Sequence, residues 1–138
     1  MKRKFLYSFV FMLLTLASLV NAQAQPPSAT VYQPWTKLGE STTMMDVSGQ
    51  VIRCHPDSSA QLHLNVFNEN SVDQLAHFTI RITNPVTLEQ VTKEVSRNME
   101  KFKMAIVNCE DNNYSDLRMN IPVGWDPTTV KITITFIK

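Results

Sequence analysis

Short runs in which apolar and polar residues alternate recur along most of this chain. The clearest occupy residues 61–67 and 75–83, where every second side chain is apolar over most of each run. A period of two with one apolar face is typical of half-buried antiparallel strands. Because the apolar residues should share a face, we expect Leu64 opposite Phe78, with the polar residues 68–74 as the connection. The pattern therefore predicts a β-hairpin.

Further segments of the same kind extend the prediction to about seven strands. The run at 130–137 alternates most cleanly after the hairpin. Residues 87–96 also fit one or two turns of helix, because their apolar residues recur at intervals of three and four. Short strands separated by polar turns indicate an all-β, antiparallel β-sandwich. The predicted strands are residues 36–40, 44–54, 61–67, 75–83, 87–96, 99–108 and 130–137.

The beginning of the chain has the pattern of a signal peptide. Three basic residues within 1–4 precede an almost wholly apolar run at 5–20, and Ala22 and Ala24 offer small-residue cleavage positions. The apolar run is shorter than the ~20 residues that span a membrane, although an uncleaved anchor stays an alternative. We therefore expect a secreted or periplasmic product without a transmembrane segment in the mature chain. The predicted divisions are a signal peptide at 1–22, a flexible leader at 23–30 and one sandwich domain at 31–138.

Cleavage of the signal peptide changes the charge balance. It removes three of the 13 basic residues and none of the 12 acidic ones, which leaves a net charge near −2. Nucleic acid and anionic membranes both require a concentrated positive face. Neither is an expected partner of the mature protein.

Cys54 and Cys109 are the only two cysteines of the chain. An even number of cysteines in a protein exported to an oxidising compartment favours a disulfide. A closed loop of about 56 residues would stabilise the fold by about 4 kcal/mol on the chain-entropy model. Two reduced and separately buried cysteines are the alternative.

The order of residues 35–40, Cys54 and residues 62–70 resembles a group of short secreted proteins of Bacteroidetes bacteria. In that group a tryptophan-lysine-glutamate opening leads to a cysteine and then to a strand that ends in an asparagine-rich turn. A second cysteine late in the chain, here Cys109, is similar too. The resemblance implies an immunoglobulin-like β-sandwich of uncharacterised function, and it supplies no catalytic residues.

Two histidines fall on the polar face of the predicted hairpin. In the expected register His63 and His77 are diagonal neighbours about 7–8 Å apart. Two imidazoles at that distance suit a shared zinc or copper ion, with His55 or Asp57 as a third ligand. The simpler interpretation is that both are ordinary residues of a solvated face, and we predict no cofactor. Residues 109–116 are rich in acids and asparagines but lack the rest of an EF-hand pattern, so we expect a solvated loop.

The sequence contains no nucleophile elbow, phosphate loop or zinc-protease motif. We therefore expect no enzyme but a non-catalytic interaction or envelope module with a protein or glycan partner. A small metal-binding protein that uses His63 and His77 is one alternative.

A carbohydrate-binding module is the other alternative, and it depends on exposed aromatic rings. Trp125 lies in a turn with Pro122 before it and Pro127 after it, which makes it the better candidate for an exposed ring that stacks on sugars, although packing against its own loop is the simpler interpretation. Trp35 precedes a predicted strand, and we expect it to cover the open end of the sandwich.

Overall fold

The computed structural model describes residues 29–110 and 113–137. The predicted signal peptide at 1–22 and the leader up to residue 28 lie outside the described residues. Among those residues the chain forms eight β-strands and one turn of 3-10 helix. No helix in these ranges is long and apolar enough to cross a bilayer. The elements are β1 (Thr30–Glu40), β2 (Met45–Arg53), β3 (Gln61–Asn68), β4 (Gln74–Thr83), β5 (Gln90–Met99), β6 (Met104–Ile106), the 3-10 turn (Ser115–Leu117), β7 (Arg118–Asn120) and β8 (Lys131–Phe136).

The strands form two antiparallel sheets, as a β-sandwich requires. Sheet A contains β1, β2 and β3 in that order, with β6 and β7 both paired to the far edge of β3. Sheet B has the order β5, β4, β8. The apolar sides of both sheets meet in one core, so the predicted all-β antiparallel architecture is confirmed. The largest completely buried side chains are Phe78, Met45, Ile52, Leu62, Leu64, Ile80, Ile82 and Leu117.

The predicted hairpin between residues 61–67 and 75–83 is wrong. β3 pairs with β2, β6 and β7, whereas β4 pairs with β5 and β8. Leu64 and Phe78 are both buried, but they enter the core from opposite sheets. Alternation fixes which face of a strand is buried, and strands on either side of a sandwich satisfy that condition equally well. Residues 69–73 cross from one sheet to the other.

Two other strand predictions change. The strand predicted at 87–96 is present but shifted, since β5 runs from Gln90 to Met99 and the residues before it form a turn, and the helical alternative is not formed. The predicted strand at 99–108 is instead a turn at 100–103 followed by the short β6. β7 was not predicted, because three residues carry too short a pattern to show alternation.

β6 and β7 are two halves of one interrupted edge of sheet A. The chain leaves the edge of β3 after β6 and returns to it at β7. We call the connection between them, residues 107–117, the excursion, and Val107 and Leu117 are buried at its two ends. The predicted disulfide is present and ties the excursion to the end of β2, with the Cα atoms of Cys54 and Cys109 5.4 Å apart. The bond therefore holds a long connection against sheet A.

The other end of the excursion is held by the edge of sheet B. Arg97 of β5 points toward the core side and binds the carboxylate of Asp116, with Nε 2.8 Å from Oδ2. Its guanidinium also lies over the Tyr114 ring, 4.8 Å from the centroid. The hydrogen bonds from Arg97 lower the pKa of the Asp116 carboxyl. Lys93 donates to the Arg118 carbonyl oxygen at 2.6 Å, so two cations close this side of the sandwich.

We expect the double substitution Cys54→Ala and Cys109→Ala to lower the free energy of unfolding by about 4 kcal/mol, because the unfolded chain regains the entropy of a long open loop. Urea unfolding monitored by tryptophan fluorescence measures the change. Reduction of the unsubstituted protein should give a loss of the same size. A loss of stability below about 1 kcal/mol would contradict this account, because it would show that the bond restricts the unfolded chain very little.

Candidate functional site

Three connections meet at one end of the sandwich. They are the β1–β2 turn at residues 41–44, the sheet crossing at 69–73 and the β5–β6 turn at 100–103. We call these three connections together the loop end. Loops carried on a rigid scaffold are where binding residues concentrate in proteins. The loop end is therefore the first place to look for function.

The side chain of Asn68, the last residue of β3, lies at the centre of the loop end and is completely buried, with 0% exposed. Its amide nitrogen donates to the carbonyl oxygens of Val72 at 2.9 Å, Met99 at 3.2 Å and Glu100 at 3.1 Å. Its side-chain oxygen accepts from the backbone N–H of Asn70 at 3.0 Å. A carboxamide is suited to this position because it supplies donors and an acceptor without charge. The crossing and the β5–β6 turn are thus joined through one amide.

Backbone bonds complete the connection among the three loops. The N–H of Phe102 donates to the Asn70 carbonyl oxygen at 3.1 Å, and the N–H of Glu69 donates to the Met44 carbonyl oxygen at 3.1 Å. The Asn70 side-chain amide also donates to the Thr43 carbonyl oxygen. Each loop is therefore bonded to at least one of the others, and the loop end forms one connected unit.

The loop end presents bulky apolar side chains from an unfavourable backbone. Met44 has a φ of 56° and Phe102 a φ of 53°, both in the left-handed region. Their side chains are 47% and 62% exposed. Left-handed backbone costs a non-glycine residue about 1–2 kcal/mol, and such strain concentrates at functional sites. With exposed Val72 of the crossing, these residues form the apolar surface of the loop end.

A cleft opens beside this surface, between the β1–β2 turn and the adjoining ends of β4 and β8. Its volume is about 370 Å³. The hydroxyl-bearing residues 41–43 line one wall, and Leu75, His77 and Phe136 are part of the other. A cleft with apolar walls and a few polar groups suits a protruding side chain of a partner.

The two histidines proposed as metal ligands lie on different sheets. His63 belongs to β3 in sheet A, and His77 belongs to β4 in sheet B. His77 Nε2 lies 2.7 Å from Glu94 Oε1 on the outer face of sheet B. The expected diagonal contact between the histidines is therefore wrong, for the same reason as the hairpin. His55 and Asp57 lie in an exposed turn, and residues 29–110 and 113–137 contain no group of three acidic, histidine or cysteine residues able to hold a metal ion.

His63 is buried on the outer face of sheet A, next to the disulfide. Only 1% of the residue is exposed. Its Nε2 lies 3.1 Å from Gln61 Oε1 and 3.9 Å from Cys54 Sγ. Burial, together with the nearby charge of Arg118, lowers the pKa of His63 to about 4. The neutral imidazole therefore packs against the disulfide.

Trp35 does not occupy the position expected from the sequence, whereas Trp125 is packed rather than fully exposed. Trp125 is half-buried and packs against the hydrophobic core, so only part of its ring faces solvent. Trp35, expected to cover the end of the sandwich, is 39% exposed in the edge strand β1. In the acidic run at 109–116, the carboxylate of Asp116 is engaged by Arg97, and residues 111 and 112 lie outside the described residues.

The residues of the loop end were not found from the sequence. Asn68 was assigned to a polar connection, where asparagine is expected for its turn-forming tendency. Nothing in the residue types of Met44 and Phe102 indicates left-handed backbone, which is unusual for bulky side chains. The one available signal was the asparagine-rich run at 68–70.

Comparison of the chain with protein-family models, with curated proteins and with solved structures finds no match in any of the three.

We expect Asn68→Ala to lower the free energy of unfolding by about 3 kcal/mol, because it removes four hydrogen bonds made by a completely buried amide and leaves a cavity in its place. Urea unfolding measures the loss. Asn98→Ala, on the exposed side of β5, is the control and should change stability by less than about 0.5 kcal/mol. Equal small losses in both variants would contradict a central role for Asn68.

We expect His63 to make the folded state less stable in mild acid. Its pKa is about 4 in the folded protein against an ordinary value of 6.5, so between these values the unfolded chain binds more protons. The free energy of unfolding should then fall by about 2 kcal/mol between pH 7 and pH 5. Denaturant titrations of the protein and of His63→Gln test this, since the substitution should remove most of the decline. If the free energy of unfolding falls equally steeply with pH in His63→Gln, the decline is caused by other titrating groups.

Proposed function

We propose that this chain is a secreted or periplasmic, non-catalytic interaction module of the cell envelope that binds a protein partner through the loop end. The single observation that carries the proposal is the pair of exposed apolar residues, Met44 and Phe102, held in left-handed backbone by a hydrogen-bonded frame. Folding stability alone would favour glycine or asparagine at such positions. Leu88 shares the left-handed backbone and the exposure, so what favours a partner here is that two such residues stand together on one hydrogen-bonded frame.

The chemistry of the apolar surface favours a protein partner. Methionine and valine accompany the single phenylalanine, whereas sugar recognition would call for broad aromatic faces. Met44 is flexible and fills irregular gaps in a partner surface. Phe102 supplies a compact aromatic anchor. The carbohydrate alternative depends on Trp125, whose packing against the core leaves less of its ring available for stacking.

The secreted location follows from the signal-peptide pattern at 1–22 and from the resemblance to short secreted Bacteroidetes proteins. The immunoglobulin-like assignment is proposed in the architectural sense only. In the constant-type arrangement the third, sixth and seventh strands share a sheet, whereas here β4, β5 and β8 do. Many cell-surface sandwiches share the two-sheet architecture without that strand order.

Photo-crosslinking in cells that naturally export the chain tests the proposal. A benzophenone amino acid placed at position 102 should form a discrete adduct with one envelope protein, and excess purified unlabelled chain should compete it away. The same probe at Leu88 is the control. Leu88 is also a bulky apolar residue in a turn, with a φ of 62° and 72% exposed, but it lies at the opposite end of the sandwich. Equal adducts at both positions, or none at 102, would contradict binding through the loop end.

We expect Phe102→Gly to separate stability from binding. Release of the left-handed strain should leave the free energy of unfolding unchanged or raise it by up to about 1 kcal/mol, since glycine adopts this backbone freely. The competing activity in the crosslinking assay should be lost. Leu88→Gly should relieve similar strain and keep full activity. If Phe102→Gly competes as well as the original chain, its side chain is not part of the binding surface.

A further inference from the structure

The edges of the two sheets differ in how well they are protected. An edge strand exposes unpaired backbone groups and can pair with another chain, so proteins usually block their edges by bulges, prolines, inward charges or short strands. Within the described residues the edges are β1, the interrupted pair of β6 and β7, β5, and β8. Three of these four edges carry such a device.

The three protected edges each use a different means. β1 contains Pro34, and its register with β2 shifts three times. β6 and β7 are three residues long each and are separated by the disulfide-bonded excursion. β5 points Lys93 and Arg97 toward the core side, where residues of the excursion bind both cations. Strand addition at any of them would disturb existing structure.

β8 has none of these devices. It pairs with β4 over six consecutive positions without a register shift, from Lys131 to Phe136. It contains no proline, and its only charged residue, Lys131, is on the outer face. β8 is therefore a regular strand with an unblocked edge.

The direction of the unpaired backbone groups follows from the β4 ladder. The N–H of Ile137 donates to the His77 carbonyl oxygen at 2.9 Å, so the odd-numbered residues of β8 exchange bonds with β4. The even-numbered residues Ile132, Ile134 and Phe136 direct their N–H and C=O groups to the open edge. At the start of this edge, Gln33 Nε2 already donates to the Val130 carbonyl oxygen at 3.0 Å.

The core beneath the β8 edge is also incomplete. Phe78, Ile80 and Ile82 of the neighbouring β4 are completely buried. Ile132 and Ile134 of β8, on the same side of the sheet, are only half-buried. An added strand with apolar residues at alternate positions would cover the remaining surface of these side chains.

We propose that β8 pairs with β8 of a second copy of this chain, in antiparallel orientation about a two-fold axis at Ile134. In this register Ile132 lies opposite Phe136 of the second copy. Ile132, Ile134 and Phe136, whose backbone groups face the open edge, exchange six backbone hydrogen bonds with the same residues of the second copy. The two copies of sheet B join into one continuous six-stranded sheet.

The β8 sequence suits this self-pairing. On the outer face Thr133 lies opposite Thr135 of the second copy, and threonine pairs stabilise antiparallel strands. Lys131 lies opposite Ile137, so the lysines of the two copies do not face each other. A two-fold dimer is the commonest symmetric assembly of soluble proteins. The pairing uses none of the three exposed apolar residues Met44, Val72 and Phe102, although Phe136 contributes both to it and to the cleft beside the β1–β2 turn.

Sedimentation equilibrium of the mature chain at several concentrations tests the proposal. We expect a reversible monomer–dimer equilibrium whose dissociation constant rises about tenfold or more in the double variant Thr133→Lys and Thr135→Lys, because it opposes like charges across the interface. Thr92→Lys, on the outer face of β5, is the matched control and should leave the constant unchanged. Phe102→Gly should also leave it unchanged, which separates this test from the test of the loop end.

Disulfide trapping tests the register. Chains carrying Thr133→Cys mixed with chains carrying Thr135→Cys should form a covalent dimer, since directly opposed residues have Cβ atoms about 4.5–5.5 Å apart. Neither chain alone should do so efficiently. A chain that stays monomeric at all concentrations, or a dimer insensitive to the double lysine variant, overturns the proposal. A β8 edge occupied by a segment of a different protein, with no dimer, overturns it as well.

Discussion

The buried amide of Asn68 is the interaction on which the loop end depends. This completely buried side chain bonds to three carbonyl oxygens and one N–H. Without these bonds the buried amide would carry the cost of burial without a partner. Because the bonds join the sheet crossing to the β5–β6 turn, the amide couples the position of one loop to that of another. The strained turns at Met44 and Phe102 persist because this frame holds the loops that carry them.

The opposite side of the molecule is fixed by different means. The Cys54–Cys109 bond and the Arg97–Asp116 pair hold the two ends of the excursion between β6 and β7. Neutral His63 fills the space next to the bond. These contacts fasten a long connection to both sheets. The disulfide and the ion pair thus stabilise the fold without taking part in the proposed binding surface, whereas Asn68 contributes to both.

The sequence contains enough information to identify the strands and their buried faces but not to assign each strand to a sheet. Leu64 and Phe78 were correctly expected to face apolar surroundings, yet they belong to opposite layers, because alternation is a local property and sheet membership is not. The cysteine pair was predictable from composition, because the chain contains only two cysteines and they allow one pairing. The loop end was not predictable, since a left-handed Phe102 and a fully buried Asn68 arise from long-range contacts that no residue pattern records.

Native-state hydrogen exchange tests the central claim most directly, because it reports whether the three loops open together. The account predicts that the amides of Glu69, Asn70 and Phe102, which donate within the loop end, exchange slowly and with similar opening free energies. In Asn68→Ala all three should lose protection together, while the amides of β4 keep theirs relative to the global stability of the variant. Fast exchange in the original chain, or loss confined to Asn70, would contradict a loop end braced as one unit.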